Sequence, residues 1–200
     1  MKKSAKNKTP REYISWSQLS LWERDPEEYR RVYVEGQEQF VSDAMILGKQ
    51  LAEAMEDDIV SDIPIIEQGR MFLPHYENRE FEIRVNLRVG KHDIPLFGKL
   101  DGYEKKDRII GEIKTGATKW TQRMVDQHGQ LTFYALLVYL RFKKMPSSIR
   151  LHWLNTDEES ENYGMVKSFE TKRSLAELIK MHTRINNAWA AIIKLSNGKL

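Results

Sequence analysis

Three residues whose side chains could form a metal-dependent catalytic site lie near the middle of the chain: the acids Asp101 and Glu112, and Lys114. Asp101 precedes, and the other two follow, a turn-like segment at residues 105–108. The flanking segments predict an antiparallel hairpin, in which Asp101 lies opposite Glu112. Lys114 shares the face of Glu112 because side chains alternate along a strand. Opposed carboxylates repel each other, and a divalent cation between them relieves that repulsion.

The chemistry of such a site follows from its ligands. Carboxylate oxygens suit Mg²⁺ or Mn²⁺, and such an ion beside a lysine can polarise a phosphodiester and lower the pKa of a bound water. Glu112 also interrupts an otherwise apolar strand, where an unpaired carboxylate is costly. From geometry alone an ordinary salt bridge, Glu112 with Lys114 or Asp101 with Lys99, explains the pattern equally well.

Composition narrows the class of protein. The chain has 200 residues, of which 40% are hydrophobic, and this is enough for one core. Zero cysteines exclude thiolate zinc sites, cysteine nucleophiles and cysteine-bound iron–sulfur clusters. The net charge of +3 decides nothing about nucleic acids. With neither a long apolar run nor a signal-peptide pattern, we expect a cytoplasmic protein without a membrane partner.

Patterning along the chain predicts one α/β domain over residues 13–200, preceded by a flexible basic leader at residues 1–12. A connection is predicted at residues 61–74, because prolines and a glycine cluster there. The remaining elements are helices from Ser15, from Pro26, over 42–58, over 121–143 and from Ser174 onward, and strands near 81–89, 94–104, 108–114, 150–154 and 165–169.

The helix predicted over residues 42–58 carries an apolar face, and a helical projection decides which acids could accompany it. Glu56 falls at the edge of this face, whereas Glu53 points nearly opposite. The apolar face consists of Ala44, Leu47, Gly48, Leu51, Ala52, Met55 and Ile59.

Three blocks in order, residues 98–101, 111–116 and 130–135, resemble the PD-(D/E)XK nuclease superfamily. Within it they are similar to the RecB-like branch, which includes CRISPR-associated exonucleases and many phage nucleases. Segments 14–19 and 25–29 resemble the opening helices of that branch, and segment 47–53 resembles its helix that enters the active site. The resemblance implies a restriction-endonuclease-like core, with a central mixed β-sheet that contains an antiparallel meander and is flanked by helices.

Roles for individual residues follow from the resemblance. Asp101 and Glu112 would bind the metal, and the Ile113 carbonyl is a common additional ligand. Lys114 would orient or activate the attacking water and stabilise the charged phosphate. Two further residues, Gln130 and Tyr134, would support the site or contact DNA.

This chain departs from the resembled pattern in two places. The histidine usually found four residues after the helix glycine is Ala52 here, so one metal ligand is missing or replaced. The helical phase favours Glu56 as the residue that replaces the histidine. Glu53 is the alternative, because it is adjacent in sequence to Ala52. The cysteines that bind an iron–sulfur cluster in some relatives are absent.

Lys119, Trp120 and Arg123 follow the lysine motif directly. Two cations and an indole could grip phosphate and stack a base, so these residues are candidate DNA contacts. The alternative is a loop-to-helix junction with Trp120 packed beneath it.

We therefore expect a Mg²⁺- or Mn²⁺-dependent DNA nuclease, more specifically an exonuclease that acts on single strands or duplex ends. The resemblance points to DNA repair, recombination, phage DNA processing or CRISPR adaptation, alone or in a helicase, recombination or adaptation complex. The alternative is a catalytically weak or inactive nuclease-like subunit that binds DNA or a partner, as the loss of histidine at Ala52 suggests.

Overall fold

The computed structural model describes residues 12–38 and 41–196, so all but the last residue of the predicted basic leader lies outside it. Its centre is a sheet of five strands in the order β1-β2-β3-β4-β5. The first three strands form an antiparallel meander, β4 runs parallel to β3, and β5 is antiparallel to β4. This confirms the predicted mixed sheet. The strands are β1 Asn78–Val89, β2 His92–Glu104, β3 Ile109–Gly116, β4 Ser148–Asn155 and β5 Val166–Thr171.

Helices cover both faces of this sheet, as expected for an α/β fold. No helix in the described part of the chain is both long and apolar enough to cross a membrane. The helices are α1 Trp16–Arg24, α2 Pro26–Tyr29 with a π-helical continuation Arg30–Val34, α3 Asp43–Glu56, α4 Pro64–Phe72, α5 Gln122–Asp126, α6 Gly129–Phe142 and α7 Leu175–Ser196.

Two hydrophobic cores lie on opposite faces of the sheet. The larger joins the sheet to α1, α6 and α7 and includes Ile110 of β3 and Leu137 of α6. The smaller packs α3 and α4 against β3 and β4, with Leu51, Ile66 and Leu154 at its centre. Helix α6 is buried along most of its length because it lies between the sheet and α7.

The connection predicted for residues 61–74 is wrong, because the segment contains helix α4. Pro64 occupies the first turn of this helix, where a missing backbone N–H costs nothing. Gly69 permits close packing, since a Cβ there would lie 2.7 Å from Leu51 and 2.9 Å from Leu154. The prolines and the glycine of this segment predict a connection, whereas in the structure Pro64 starts a helix and Gly69 lets that helix approach the core.

The single helix predicted over residues 121–143 is also wrong. The chain leaves helical geometry at residues 127–128 and divides the segment into α5 and α6. The buried guanidinium of Arg173 donates hydrogen bonds to the Val125 carbonyl at 2.9 Å and the His128 carbonyl at 3.3 Å. Arg173 thus satisfies carbonyls that the break exposes, and it lies more than forty positions further along the chain.

Helix α3 agrees with its predicted apolar face only in part. Leu51 and Met55 are buried as predicted, whereas Ala44 is exposed and Ile59 is 58% exposed. Ile59 is exposed because α3 ends at Glu56 and Ile59 lies in the following loop. Ala54 is buried instead, because α4 packs against that side of the helix.

Candidate active site

The hairpin of β2 and β3 has the register predicted from the sequence. Gly102 pairs with Gly111, and the next two rungs follow in step, so Asp101 lies opposite Glu112. Backbone pairing ends at Gly102–Gly111, and the Asp101 Oδ2 atom instead accepts a hydrogen bond from the Ile113 N–H at 2.7 Å. A side-chain carboxylate thereby replaces a strand partner and fixes Asp101 beside β3.

Glu112 is almost completely removed from water, with 1% of its surface exposed. Its Oε1 atom lies 2.5 Å from the Lys114 ammonium, and its buried Oε2 atom has no hydrogen-bond partner within the described structure. Burial, reinforced by the charge of Asp101, raises the pKa of Glu112 to about 8, and burial also raises the pKa of Asp101. The positive charge of Lys114 therefore does not fully compensate the negative charges of Asp101 and Glu112.

Lys114 is held from two sides. Its ammonium contacts Glu112 and donates a hydrogen bond to Gln130 Oε1 at 2.8 Å. Burial lowers the pKa of Lys114, but the Glu112 carboxylate outweighs burial and raises that pKa above its usual value, so the lysine stays charged. The sequence-predicted Lys114 and Gln130 are thus brought together in one contact.

A hydrogen-bonded chain continues from Gln130 into the sheet. Gln130 Nε2 donates to the Tyr134 hydroxyl at 3.0 Å, and that hydroxyl donates to the Lys99 carbonyl at 2.8 Å. Burial raises the pKa of Tyr134, so its hydroxyl keeps its proton. Tyr134 therefore anchors α6 to β2 and holds Gln130 within hydrogen-bond distance of Lys114.

Tyr76, which sequence reasoning did not identify, lies under the two acidic strands. A Cβ at Gly102 would lie 2.2 Å from the Tyr76 ring, and one at Gly111 would lie 2.3 Å from it, so both glycines make room for this ring. The Tyr76 hydroxyl lies 2.6 Å from Nε2 of His152, whose Nδ1 lies 2.7 Å from Ser168 Oγ. Burial lowers the pKa of His152 to about 4, so this histidine is neutral at pH 7.

A cleft of about 310 Å³ opens between α3, the site end of β1–β3 and the start of α6. Asp101, Glu112 and Lys114 line it, together with Glu56 from α3. Within residues 12–38 and 41–196, no three His, Asp or Glu side chains are grouped closely enough to share one metal ion. The structure thus places Glu56 in the cleft without grouping it with the two sheet acids.

Helix α3 approaches the site closely. A Cβ at Gly48 would lie 3.2 Å from Thr115 Oγ1 of β3, so a glycine suits this crossing. Ala52, which stands where the resembled sequence pattern usually has histidine, lines the cleft. Glu53 projects elsewhere, because its carboxylate lies 3.4 Å from Lys49 on the exposed surface of the helix.

Glu80 of β1 is a second residue of the cleft that sequence reasoning missed. The turn at residues 90–91 joins β1 to β2, and Gly90 adopts a positive φ of 58° there. This short turn determines which residues of the two strands face each other. It is the sequence signal that could have placed Glu80 opposite Asp101.

The three candidate DNA contacts lie just beyond β3 and do not line the cleft described above. Trp120 is half-buried, and its ring meets His128 edge to face with 5.0 Å between centroids. Lys119 and Arg123 are exposed. A DNA-binding role for the three residues stays a prediction. The packing of Trp120 agrees with the alternative interpretation, a loop-to-helix junction with this ring packed beneath it.

Comparison with known proteins supports the fold. No protein-family model and no curated protein matches the chain. Among solved structures, a candidate exonuclease of Eubacterium rectale is similar with a TM-score of 0.67 and 15% identity, over 94% of this chain and 83% of that one. The alkaline exonuclease LHK-Exo of Laribacter hongkongensis is similar with a TM-score of 0.52 and 13% identity, over 92% of this chain and 90% of that one. The chain has the restriction-endonuclease-like fold of these nucleases.

The contact between Tyr76 and Gly111 generates a stability prediction. Gly111→Ala forces a methyl group into the Tyr76 ring and should lower the free energy of unfolding by about 1–3 kcal/mol, as measured by urea denaturation. In a Tyr76→Ala background the same methyl enters empty space, so its cost should shrink. An equal loss of unfolding free energy in both backgrounds would show that the Tyr76 ring is not the reason for the glycine at position 111.

Proposed function

We propose that this protein is a DNA nuclease that hydrolyses phosphodiester bonds with Mg²⁺ or Mn²⁺ held by Asp101 and Glu112. The observation that supports it most is the buried Glu112 oxygen that has no partner among the described residues and lies beside a second acid and a lysine. Oxygen donors at a site deficient in positive charge fit a hard divalent cation. The Ile113 carbonyl is the proposed additional ligand.

The residues around the proposed ion divide the work. A bound divalent cation would polarise the phosphodiester and lower the pKa of a coordinated water. Lys114, charged and held by Glu112 and Gln130, would orient the attacking water and stabilise negative charge that develops on the phosphate. Tyr134 would act by positioning Gln130, since its hydroxyl keeps its proton and is bound to the Lys99 carbonyl.

We further infer that cleavage starts at DNA ends, either single-stranded or duplex. This is supported by the sequence resemblance and by the exonuclease names of the structurally similar proteins. Lys119, Trp120 and Arg123 are the proposed contacts to the strand that leads away from the site. DNA repair, recombination, phage DNA processing and CRISPR adaptation are the settings in which such an enzyme would act, with or without a helicase or recombination partner.

A second candidate is a nuclease-like subunit that binds DNA or a partner with little or no cleavage. It is favoured by Ala52 in the cleft and by the absence of a three-ligand group among the described residues. The intact set of Asp101, Glu112 and Lys114 argues against it. Either candidate can bind DNA, so a cleavage assay and not a DNA-binding assay separates them.

Cleavage and metal binding test the proposed function together. With Mn²⁺, the protein should degrade end-labelled linear DNA and leave covalently closed circles intact, and a chelator should stop the reaction. Asp101→Asn and Glu112→Gln should each weaken Mn²⁺ binding in isothermal titration calorimetry by about tenfold or more, because each removes a charged ligand. Wild-type binding in both variants would reject the site, and binding without cleavage in the wild type would favour the second candidate.

Lys114 should affect the rate rather than metal affinity. Lys114→Ala should retain Mn²⁺ binding and slow cleavage by about a hundredfold or more, because its charge acts mainly in the transition state. Lys91→Ala, which removes an exposed lysine from the β1–β2 turn, is the matched control and should cut DNA normally. Normal cleavage by Lys114→Ala would contradict the proposed mechanism.

Glu53 and Glu56 of α3 should differ in their effect on cleavage. Glu56→Gln should raise the Mn²⁺ concentration needed for half-maximal cleavage, because Glu56 lines the cleft and a neutral amide binds a hard cation more weakly. Glu53→Gln is the control, since Glu53 pairs with Lys49 outside the cleft. The titration should include limiting metal, because excess ion masks the loss of one ligand. A defect confined to Glu53→Gln would show that Glu53, and not Glu56, is the metal ligand.

A further inference from the structure

Arg79 of β1 is a second cation of the cleft, beside Lys114. Among the described residues that line the cleft, these two carry the only positive charges. Lys114 is paired with Glu112, whereas Arg79 is half-buried and forms no ion pair with an acid of the described chain. Glu80, its neighbour in sequence, is paired with Lys99 instead. Arg79 is therefore the cation of the cleft whose charge the protein leaves uncompensated.

A histidine, rather than an acid, holds the guanidinium of Arg79. An arginine only donates hydrogen bonds, so the contact between its Nη2 atom and His75 Nδ1 makes that ring nitrogen the acceptor. His75 is exposed, but the buried residues Leu73 and Tyr76 lie on either side of it in sequence and fix its backbone. The other N–H groups of the guanidinium find no acceptor among the described residues. Arg79 is thus positioned without being neutralised.

The register of the sheet places Arg79 next to the proposed metal ligands. Arg79 pairs with Gly102, which directly follows Asp101. Gly102 in turn pairs with Gly111, which directly precedes Glu112. Arg79 therefore lies one position along and one strand away from Asp101, and adjacent strands are about 4.7–4.9 Å apart. Because phosphates follow one another along a nucleic-acid strand, a long cationic side chain at this place meets the phosphate beside the one at the ion.

We propose that Arg79 binds a phosphodiester of the substrate strand next to the one that is cut, and that His75 is the positioning residue that holds the guanidinium toward it. This rests on the proposed function, in which the scissile phosphate lies at the ion held by Asp101 and Glu112. A guanidinium suits the task, because its planar N–H groups match two oxygens of one phosphate. Carboxylates line the same cleft and repel a DNA strand, so an uncompensated cation among them favours entry of the strand.

The salt dependence of DNA binding tests the Arg79 contact without any cleavage. Fluorescence anisotropy measures binding of a 3′-labelled single-stranded oligonucleotide without terminal phosphates, at several salt concentrations and without divalent metal. Each phosphate contact on a single strand contributes about 0.7 to the slope of log K against log salt concentration, so Arg79→Gln should reduce the slope by about that amount. Arg79→Gln should also weaken binding at low salt by about tenfold. Arg79→Lys should keep the slope and recover only part of the affinity, because an ammonium lacks the planar fork.

An arginine on the same strand supplies the matched control. Arg88 is exposed, lies 3.1 Å from Asp93 and does not line the cleft. Arg88→Gln removes the same charge from the protein and should leave the slope and the affinity unchanged.

Variants of His75 test its positioning role. His75→Ala should keep the slope, because Arg79 keeps its charge, and should weaken binding by about threefold through the lost positioning. His75→Gln, whose amide oxygen accepts a hydrogen bond, should recover that loss.

Steady-state cleavage with Mn²⁺ separates Arg79 from the catalytic lysine. Arg79→Gln should raise KM by about tenfold and change kcat by about twofold at most, because a phosphate that does not react is bound equally in the ground state and the transition state. Lys114→Ala should show the opposite division, with its effect on kcat.

The outcomes distinguish this proposal from the proposed function. An unchanged slope and affinity in Arg79→Gln would overturn the phosphate contact alone, and so would an equal loss in Arg88→Gln, which would indicate a general effect of net charge. A loss of thermal stability in Arg79→Gln with unchanged DNA binding would mean that Arg79 and His75 form only a structural contact. A wild type that neither binds Mn²⁺ nor cuts DNA, yet shows the slope change in Arg79→Gln, would reject the proposed function and support the phosphate contact.

Discussion

A carboxylate that is almost wholly removed from water, with a second one opposite it, raises the free energy of the folded chain unless positive charge lies close by. Glu112 and Asp101 are in this position, and Lys114 supplies only part of the compensation, since one Glu112 oxygen keeps no partner in the described structure. The fold accepts this cost where its sheet opens into a cleft. Strongly perturbed carboxylates in a cleft are typical of functional sites, and this arrangement is the one that supports the proposed cation site.

The surrounding structure keeps the two acids in place. Tyr76 packs against two glycines next to the acids, and it is in turn held by His152. Burial raises the pKa of Tyr76 to about 12 and lowers that of His152 to about 4, so neither group changes protonation near neutral pH. Their role is mechanical, because the ring determines how closely the two acidic strands approach.

The sheet gives up regular pairing in the row where the acids lie. Asp101 takes the Ile113 N–H with its side chain, and Glu80 adopts a left-handed backbone. A left-handed backbone at a residue with a side chain costs about 1–3 kcal/mol and persists only where the surrounding structure enforces it. Long regular ladders on either side, between β1 and β2 and between β3 and β4, provide that enforcement. The irregular row of acids is thus held in place by the regular strand pairing around it.

Local sequence determined those features whose partners lie nearby in the chain. The turn after Glu104 determined the hairpin register and so the opposition of the two acids, and Ser174 and Glu177 begin α7 with reciprocal capping bonds. Only the tertiary structure decided the rest. The break before α6 depends on Arg173, and the glycines beside the acids depend on Tyr76. Hydrophobic period and turn chemistry report interactions over a few residues, whereas these contacts join segments that only folding brings together.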